Sequence, residues 1–174
     1  VTWTDNSADE TGFKIYRRLS TETDATELAT AVIASPYSDS TLTEGQTAYY
    51  SVAAYNDNGV SAKSKVVSAT LDSVKPTVVS TTPVNGGSTT GTSVTITFSE
   101  QIIINNTMAV TLVGAGNTYY MTSPGQTGTT FTGQPFTDGA NPSYEVTIDS
   151  DKIYDLNGNK MAEDYVFTFT DDWM

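Results

Sequence analysis

SVTITFSE, residues 93–100, is the stretch on which the reading of the fold turns. Val94, Ile96 and Phe98 alternate with Thr95, Thr97 and Ser99. A period of two places the first set on one face of a β-strand and the second on the other. A strand with one apolar and one hydroxylic face is half buried, so a second layer must cover the apolar side. The same alternation runs through MAVTLVG (108–114), YEVTIDS (144–150) and YVFTFTD (165–171). Tyr144, Val146 and Ile148 share one face; Tyr165, Phe167 and Phe169 share another. TYYMTS (118–123) and TTFTGQPF (129–136) read as strands, and Val78 and Val79 as the start of an edge strand. Pro83 with Asn85-Gly86-Gly87, and IYDLNGNKM (153–161) around Asn157-Gly158, read as turns, because Asn and Gly tolerate positive φ. Roughly seven strands at 8–12-residue spacing predict a sandwich.

The N-terminal part repeats the logic. Phe13, Ile15 and Arg17 alternate with Lys14, Tyr16 and Arg18, and Tyr50, Val52 and Ala54 with Ser51, Ala53 and Tyr55. NDNG (56–59) predicts a hairpin turn, followed by a strand from Val60 to Ala69. Residues 27–42 read as irregular, a short strand or two broken by Pro36. Ala25 to Ile33 has some helical spacing, but the flanking Thr and Pro argue against it, and no helix is predicted. Lys75-Pro76 stiffens a short connector. The boundary therefore falls near Asp72 to Pro76, giving domains 1–72 and 73–174 held in a restricted mutual orientation. The fold class predicted is all-β, two tandem β-sandwiches.

Composition narrows the function. Twenty acidic against eight basic residues give a net charge of −12, which disfavours nucleic acid and anionic membranes as partners. That acidity suits a soluble secreted or cell-surface protein, with divalent-cation binding as the sharper alternative. The absence of cysteine leans towards a bacterial or archaeal source, and the absence of histidine removes the commonest general base. No apolar run approaches the ~20 residues that cross a bilayer. A chain that starts at Val1 and at strand pitch reads as a piece of a longer precursor.

Two resemblances follow. Trp3 in WTDNS (3–7), ETGFKIYRR (10–18), YYSVAAYNDNG (49–59), and Leu42 with Gly45 make residues 1–72 resemble a fibronectin type III domain. KPTVVSTTPVNGG (75–87), VTITFSEQI (94–102), YEVTIDSDKIYDLNGNKM (144–161) and YVFTFTD make residues 75–171 resemble the bacterial Ig-like domain of S-layer and other large surface proteins. The first resemblance implies a strand ahead of Val1, some 15–20 residues long with its loop. Two readings fit its absence here: truncation, the parent chain carrying that strand ahead of Val1, or an open edge on the following strand that a partner's strand fills in a donor-strand arrangement. It also implies a corner tyrosine at position 48, where this chain has Ala48.

The candidate sites are few. Trp3 reads as a core residue. Tyr16, Tyr49 and Tyr55 form an outward row, either a polysaccharide surface or cross-strand pairs. Asp155, Asn157 and Asn159 have the spacing of a calcium loop, but Lys160 and Val166 stand where such a loop needs Gly and Glu. Asp149, Asp151 and Asp155 could instead gather a cation, and Asp5, Glu10 and Asp57 form a weaker group. Glu100 and Glu145 are the conceivable glycosidase pair, without an evident cleft. Asn105-Asn106-Thr107 is a glycosylation sequon by pattern. No catalytic, cofactor or metal residue is assigned, calcium remaining possible. The expected function is a non-catalytic spacer module pair of a larger secreted or cell-surface protein, its partners being neighbouring domains of the parent chain. The alternatives are an adhesion module for carbohydrate or for another surface protein, and accessory domains of an extracellular hydrolase.

Overall fold

Phe13 and Ile15 are buried while Lys14 and Tyr16 are only partly covered, the signature of a strand with one dry face. In the computed structural model, which describes residues 1–91, 93–114, 116–122, 125–133 and 143–172, the chain divides into two units, Val1–Ser73 and Val74–Met174. The described residues are all-β, with a single 3₁₀ turn and no α-helix.

Unit 1 is built on one sheet. Its strands are β1 (Gly12–Leu19), β2 (Thr26–Val32), β3 (Thr47–Asn56), β4 (Gly59–Val60) and β5 (Val67–Thr70). They lie in the order β2-β1-β3-β4, with β5 also on β3. β1 and β3 pair without a break from Gly12↔Tyr55 to Leu19↔Ala48, which puts Phe13, Ile15, Tyr50 and Val52 on one face. The second layer is formed by extended segments outside any regular strand. Val1 and Tyr37 exchange two main-chain hydrogen bonds (2.7 and 2.9 Å), and Trp3 packs on Phe13 with ring centroids 5.2 Å apart.

Residues 27–42 hold one short strand, β2, as far as Val32, and are irregular through Pro36, as expected. One local expectation is corrected: the strand expected from Val60 to Ala69 is split into β4 and β5. Ser61 and Ser64 cause the break: their hydroxyls accept the amides of Ala54 and Val52, both at 3.0 Å, where a ladder carbonyl would stand.

Unit 2 is a two-sheet sandwich. Its strands are β6 (Val78–Thr82), β7 (Gly87–Thr89), β8 (Thr95–Ile104), β9 (Val110–Gly114), β10 (Asn117–Tyr120), β11 (Gln126–Thr132), β12 (Ser143–Ile148), β13 (Ile153–Asp155) and β14 (Tyr165–Asp171). One sheet runs β10-β9-β12-β14-β7; the other runs β11-β8-β13 with β6 also on β8. The alternation of SVTITFSE holds: Val94, Ile96 and Phe98 are buried, and Ile102 and Ile104 continue the phase. They meet Val146, Ile148, Phe167 and Phe169 of the facing sheet in one core. TTFTGQPF becomes the last part of β11, and its residues 134–136 lie outside the described residues. β7 pairs parallel with β14, a contact that period-two reading does not foresee.

Gly114 stands opposite Tyr144 in the β9–β12 ladder. A Cβ there would lie 2.2 Å from Cδ1 of Tyr144, whose ring is itself stacked on Phe169 at 5.3 Å. The ring has no room to retreat, so Gly114→Ala is expected to destabilise unit 2 by about 1–3 kcal/mol. Urea unfolding measures this directly. An unchanged midpoint would mean that the Tyr144 ring is not seated over this glycine.

Candidate functional site

The outward row on unit 1 is the most chemically distinctive surface. β1 presents Lys14, Tyr16 and Arg18 in alternate positions; β3 presents Tyr49 and Tyr55 on the same face. The tyrosines do not pair with one another. Lys63 Nζ lies 3.7 Å from the centroid of the Tyr16 ring, the Arg18 guanidinium 3.9 Å from that of Tyr49, and Lys14 Nζ 5.9 Å from that of Tyr55. These are cation–π contacts. The expected cross-strand aromatic pairing is thus replaced by cations seated on rings. Lys14 also pairs with Glu27 at 2.9 Å.

The inward face carries one polar network. Arg17 keeps the inward phase of β1, with its side chain 20% exposed, and pairs with Asp39 at 2.8 Å. The Tyr50 hydroxyl donates to the same carboxylate at 2.7 Å, as does the Thr41 amide at 3.0 Å; Arg17 also donates to the Thr41 hydroxyl. Burial works against ionisation of Asp39, but bonds from Thr41, Tyr50 and Arg17 outweigh it and hold its pKa well below the usual carboxylate range. Burial, then the Asp39 carboxylate, push the Tyr50 hydroxyl well above its ordinary value. Ala48 is fully buried, and the tie expected of a tyrosine there comes instead from Tyr50, two residues on. The signal was Arg17 itself: a cation in the apolar phase of a strand demands a carboxylate.

The DLNGN segment is a turn held by its first residue. Asp155 is 1% exposed, and its Oδ1 accepts the amides of Asn157 and Asn159 (both 2.8 Å) while Oδ2 accepts Asn159 Nδ2 at 2.7 Å. Gly158 takes φ +93°. Burial opposes the charge, and bonds from Asn159 and Asn157 outweigh it, so the Asp155 pKa lies below its ordinary value. The calcium-like spacing therefore serves an Asx turn. Lys160 points away to Asp151 at 2.9 Å, and Val166 is exposed on β14.

The acidic groupings read from the sequence are not assembled. Asp149 pairs with Lys152 at 2.6 Å and accepts the Asp151 amide, Asp151 pairs with Lys160, and neither converges on Asp155. Asp5 accepts the Ser7 amide at 3.0 Å, and Asp5, Glu10 and Asp57 do not converge either. Glu100 holds the inward phase of β8, with a carboxylate oxygen within 4.8 Å of one from Asp155; Glu145 is exposed on β12, in the other sheet. The glycosidase pairing is thereby undone. Asn105 is exposed, and Asn106 Oδ1 accepts the Met108 amide at 2.8 Å. Trp3 is partly buried in the unit 1 cluster, as expected of a core residue. Next to Asp39 and Tyr50, a groove of ≈ 560 Å³ is lined by Val1, Tyr37, Leu42, Val67 and Leu71 among others.

An all-β chain with a two-sheet sandwich at residues 74–174 defines an Ig-type architecture for unit 2. Residues 72–171 match the family model described as a bacterial Ig-like domain, and the chain belongs to that family. No curated protein matches the chain. Among solved structures it is similar to the FN1-FN3 domains of chicken CNTN1, at 9% sequence identity and a TM-score of 0.41. That likeness covers 97% of this chain and 61% of the other, so the chain spans less than two thirds of its length. No helix among the described residues is long and apolar enough to cross a membrane.

Two pH profiles test these carboxylates. Each has a depressed folded pKa, so each stabilises its unit above the unfolded value of about 3.9, and that contribution fades as pH falls through the folded value. Asp39→Ala strands Arg17 and is expected to destabilise unit 1 by about 3 kcal/mol at neutral pH. Asp155→Asn is expected to destabilise unit 2 by about 1–3 kcal/mol at neutral pH and to flatten the fall in its stability below pH 4. Urea midpoints from pH 6 to pH 2 give both answers. A parallel pH dependence in wild type and Asp155→Asn would remove Asp155 from this role.

Proposed function

We propose that the chain is a non-catalytic structural module pair of a larger secreted or cell-surface protein, an S-layer or comparable surface assembly, with neighbouring domains of the same parent chain as its partners. Membership of the bacterial Ig-like family supports both parts of this reading, since such domains occur in bacterial surface proteins and are generally non-catalytic modules. The observation that carries the reading is the use made of the polar groups. Asp39 fastens the second layer of unit 1, Asp155 closes a turn of unit 2, and Asp149 and Asp151 are engaged by lysines. These side chains hold backbone in place.

A spacer works by resisting extension, and antiparallel ladders between long strands such as β1 and β3 resist shear cooperatively. Each unit has its own buried cluster, so each should yield as a separate step. Pulling the chain from its two ends is expected to give two unfolding events, releasing roughly 250 Å and 350 Å of extended chain. A single gradual extension at low force, or turnover of an extracellular polysaccharide by the purified chain, would overturn the spacer reading.

A further inference from the structure

The outer face of unit 1 runs against the charge of the chain. Of eight basic side chains in a molecule of net charge −12, Lys14, Arg18 and Lys63 stand together on it, each over a tyrosine ring. The acids near them are Glu27, which engages Lys14, and Glu22, whose carboxylate accepts the Leu19 amide at 2.6 Å. Among the described residues neither Arg18 nor Lys63 is in an ion pair, and Arg18 has only a long bond (3.4 Å) to the Glu22 carbonyl.

A ring face holds a cation without accepting its N–H groups in the plane. Arg18, with its Cζ 3.9 Å from the centroid of the Tyr49 ring, keeps guanidinium N–H groups free for a planar oxyanion. Lys63, over Tyr16, keeps ammonium donors free. Both are held in place before any ligand arrives, which lowers the ordering cost of binding. Interleaved with them are the hydroxyls of Tyr16, Tyr49 and Tyr55, which make no hydrogen bond among the described residues. Successive outward positions along β1 lie ~7 Å apart.

We propose that this face is a docking surface for an anionic polysaccharide. Its carboxylate or sulfate groups meet Arg18 and Lys63, and its hydroxyls meet the tyrosine hydroxyls. A neutral glycan would need bare ring faces on which to stack, and here the cations occupy them. An acidic peptide would satisfy the cations but offer no hydroxyl on each unit for the phenols. Repulsion from the acidic remainder is confined by a screening length of ~10 Å at 0.1 M salt. The proposal goes beyond the spacer reading and does not need it: one is tested by force, the other by retention.

The purified chain is passed over immobilised heparin, dextran and poly-glutamate at 0.05 M salt. Retention is expected on heparin alone, with release as salt rises. Arg18→Gln and Lys63→Gln should each weaken heparin binding about tenfold, the loss of one charge-assisted bond. Lys75→Gln, which changes net charge equally but belongs to unit 2, should leave it unchanged. Thermal midpoints confirm that each variant is folded. The proposal falls if heparin does not retain the chain, if dextran or poly-glutamate retains it equally, or if Lys75→Gln weakens binding as much as the other two.

Discussion

A sheet with one apolar face is stable only when something covers that face, and in unit 1 the cover is fastened by the Asp39 carboxylate. Its layer around Val1, Trp3 and residues 33–45 has no ladder of its own to set its position. Asp39 supplies the missing constraint by taking Arg17 from β1 and the Tyr50 hydroxyl from β3 at once. Its side chain is 4% exposed, so the charge is kept only because so many donors converge on it. That arrangement trades desolvation for specificity: the loop is bound in one register against the sheet, where apolar contact alone would allow several.

Unit 2 meets the same requirement by geometry. Two sheets each present an apolar face, and Ile96, Phe98, Val146 and Phe167 are buried between them in one core, while the buried Asp155 serves the turn after β13. Fine positioning comes from steric details, of which Tyr144 over Gly114 is the sharpest. A ring lying across a glycine in the neighbouring strand locks β9 against β12, since a one-residue slip would set it against a side chain. The two units thus fix their layers by different routes, a carboxylate that ties a loop to the sheet in unit 1 and facing apolar sheets with a ring over a glycine in unit 2.

These routes explain what was legible in the sequence. β8, β12 and β14 follow directly from alternation, because a period of two survives any tertiary context that keeps one face dry. Asn157-Gly158 announced its turn, but the Asp-x-Asn-x-Asn spacing around it fits a calcium loop and an Asx turn equally well. Only the direction of the amides of Asn157 and Asn159 decides for the turn. Ser61 and Ser64 look like ordinary strand residues until their hydroxyls are seen displacing ladder carbonyls. The parallel β7–β14 contact and the seat of Lys63 on Tyr16 join residues far apart in the chain, and no local pattern encodes either.

The tyrosine row shows the same limit at the level of chemistry. Alternation placed Tyr16, Tyr49 and Tyr55 on the outer face, and a row of tyrosines by itself suggests stacking on neutral sugars. Lys63 and Arg18 change the meaning of the row without moving any tyrosine. A ring under a cation is no longer an apolar platform; it is a support that holds charge at a fixed height above the sheet. Ser51 and Ala53, opposite Tyr16 and Lys14 in the ladder, are buried although they face outward. An acidic chain that assembles three cations on one face, and lets one carboxylate reach them by a direct pair, has kept that face distinct from the rest of its surface. The distinction is one of charge, and charge is therefore the property by which a partner would recognise it.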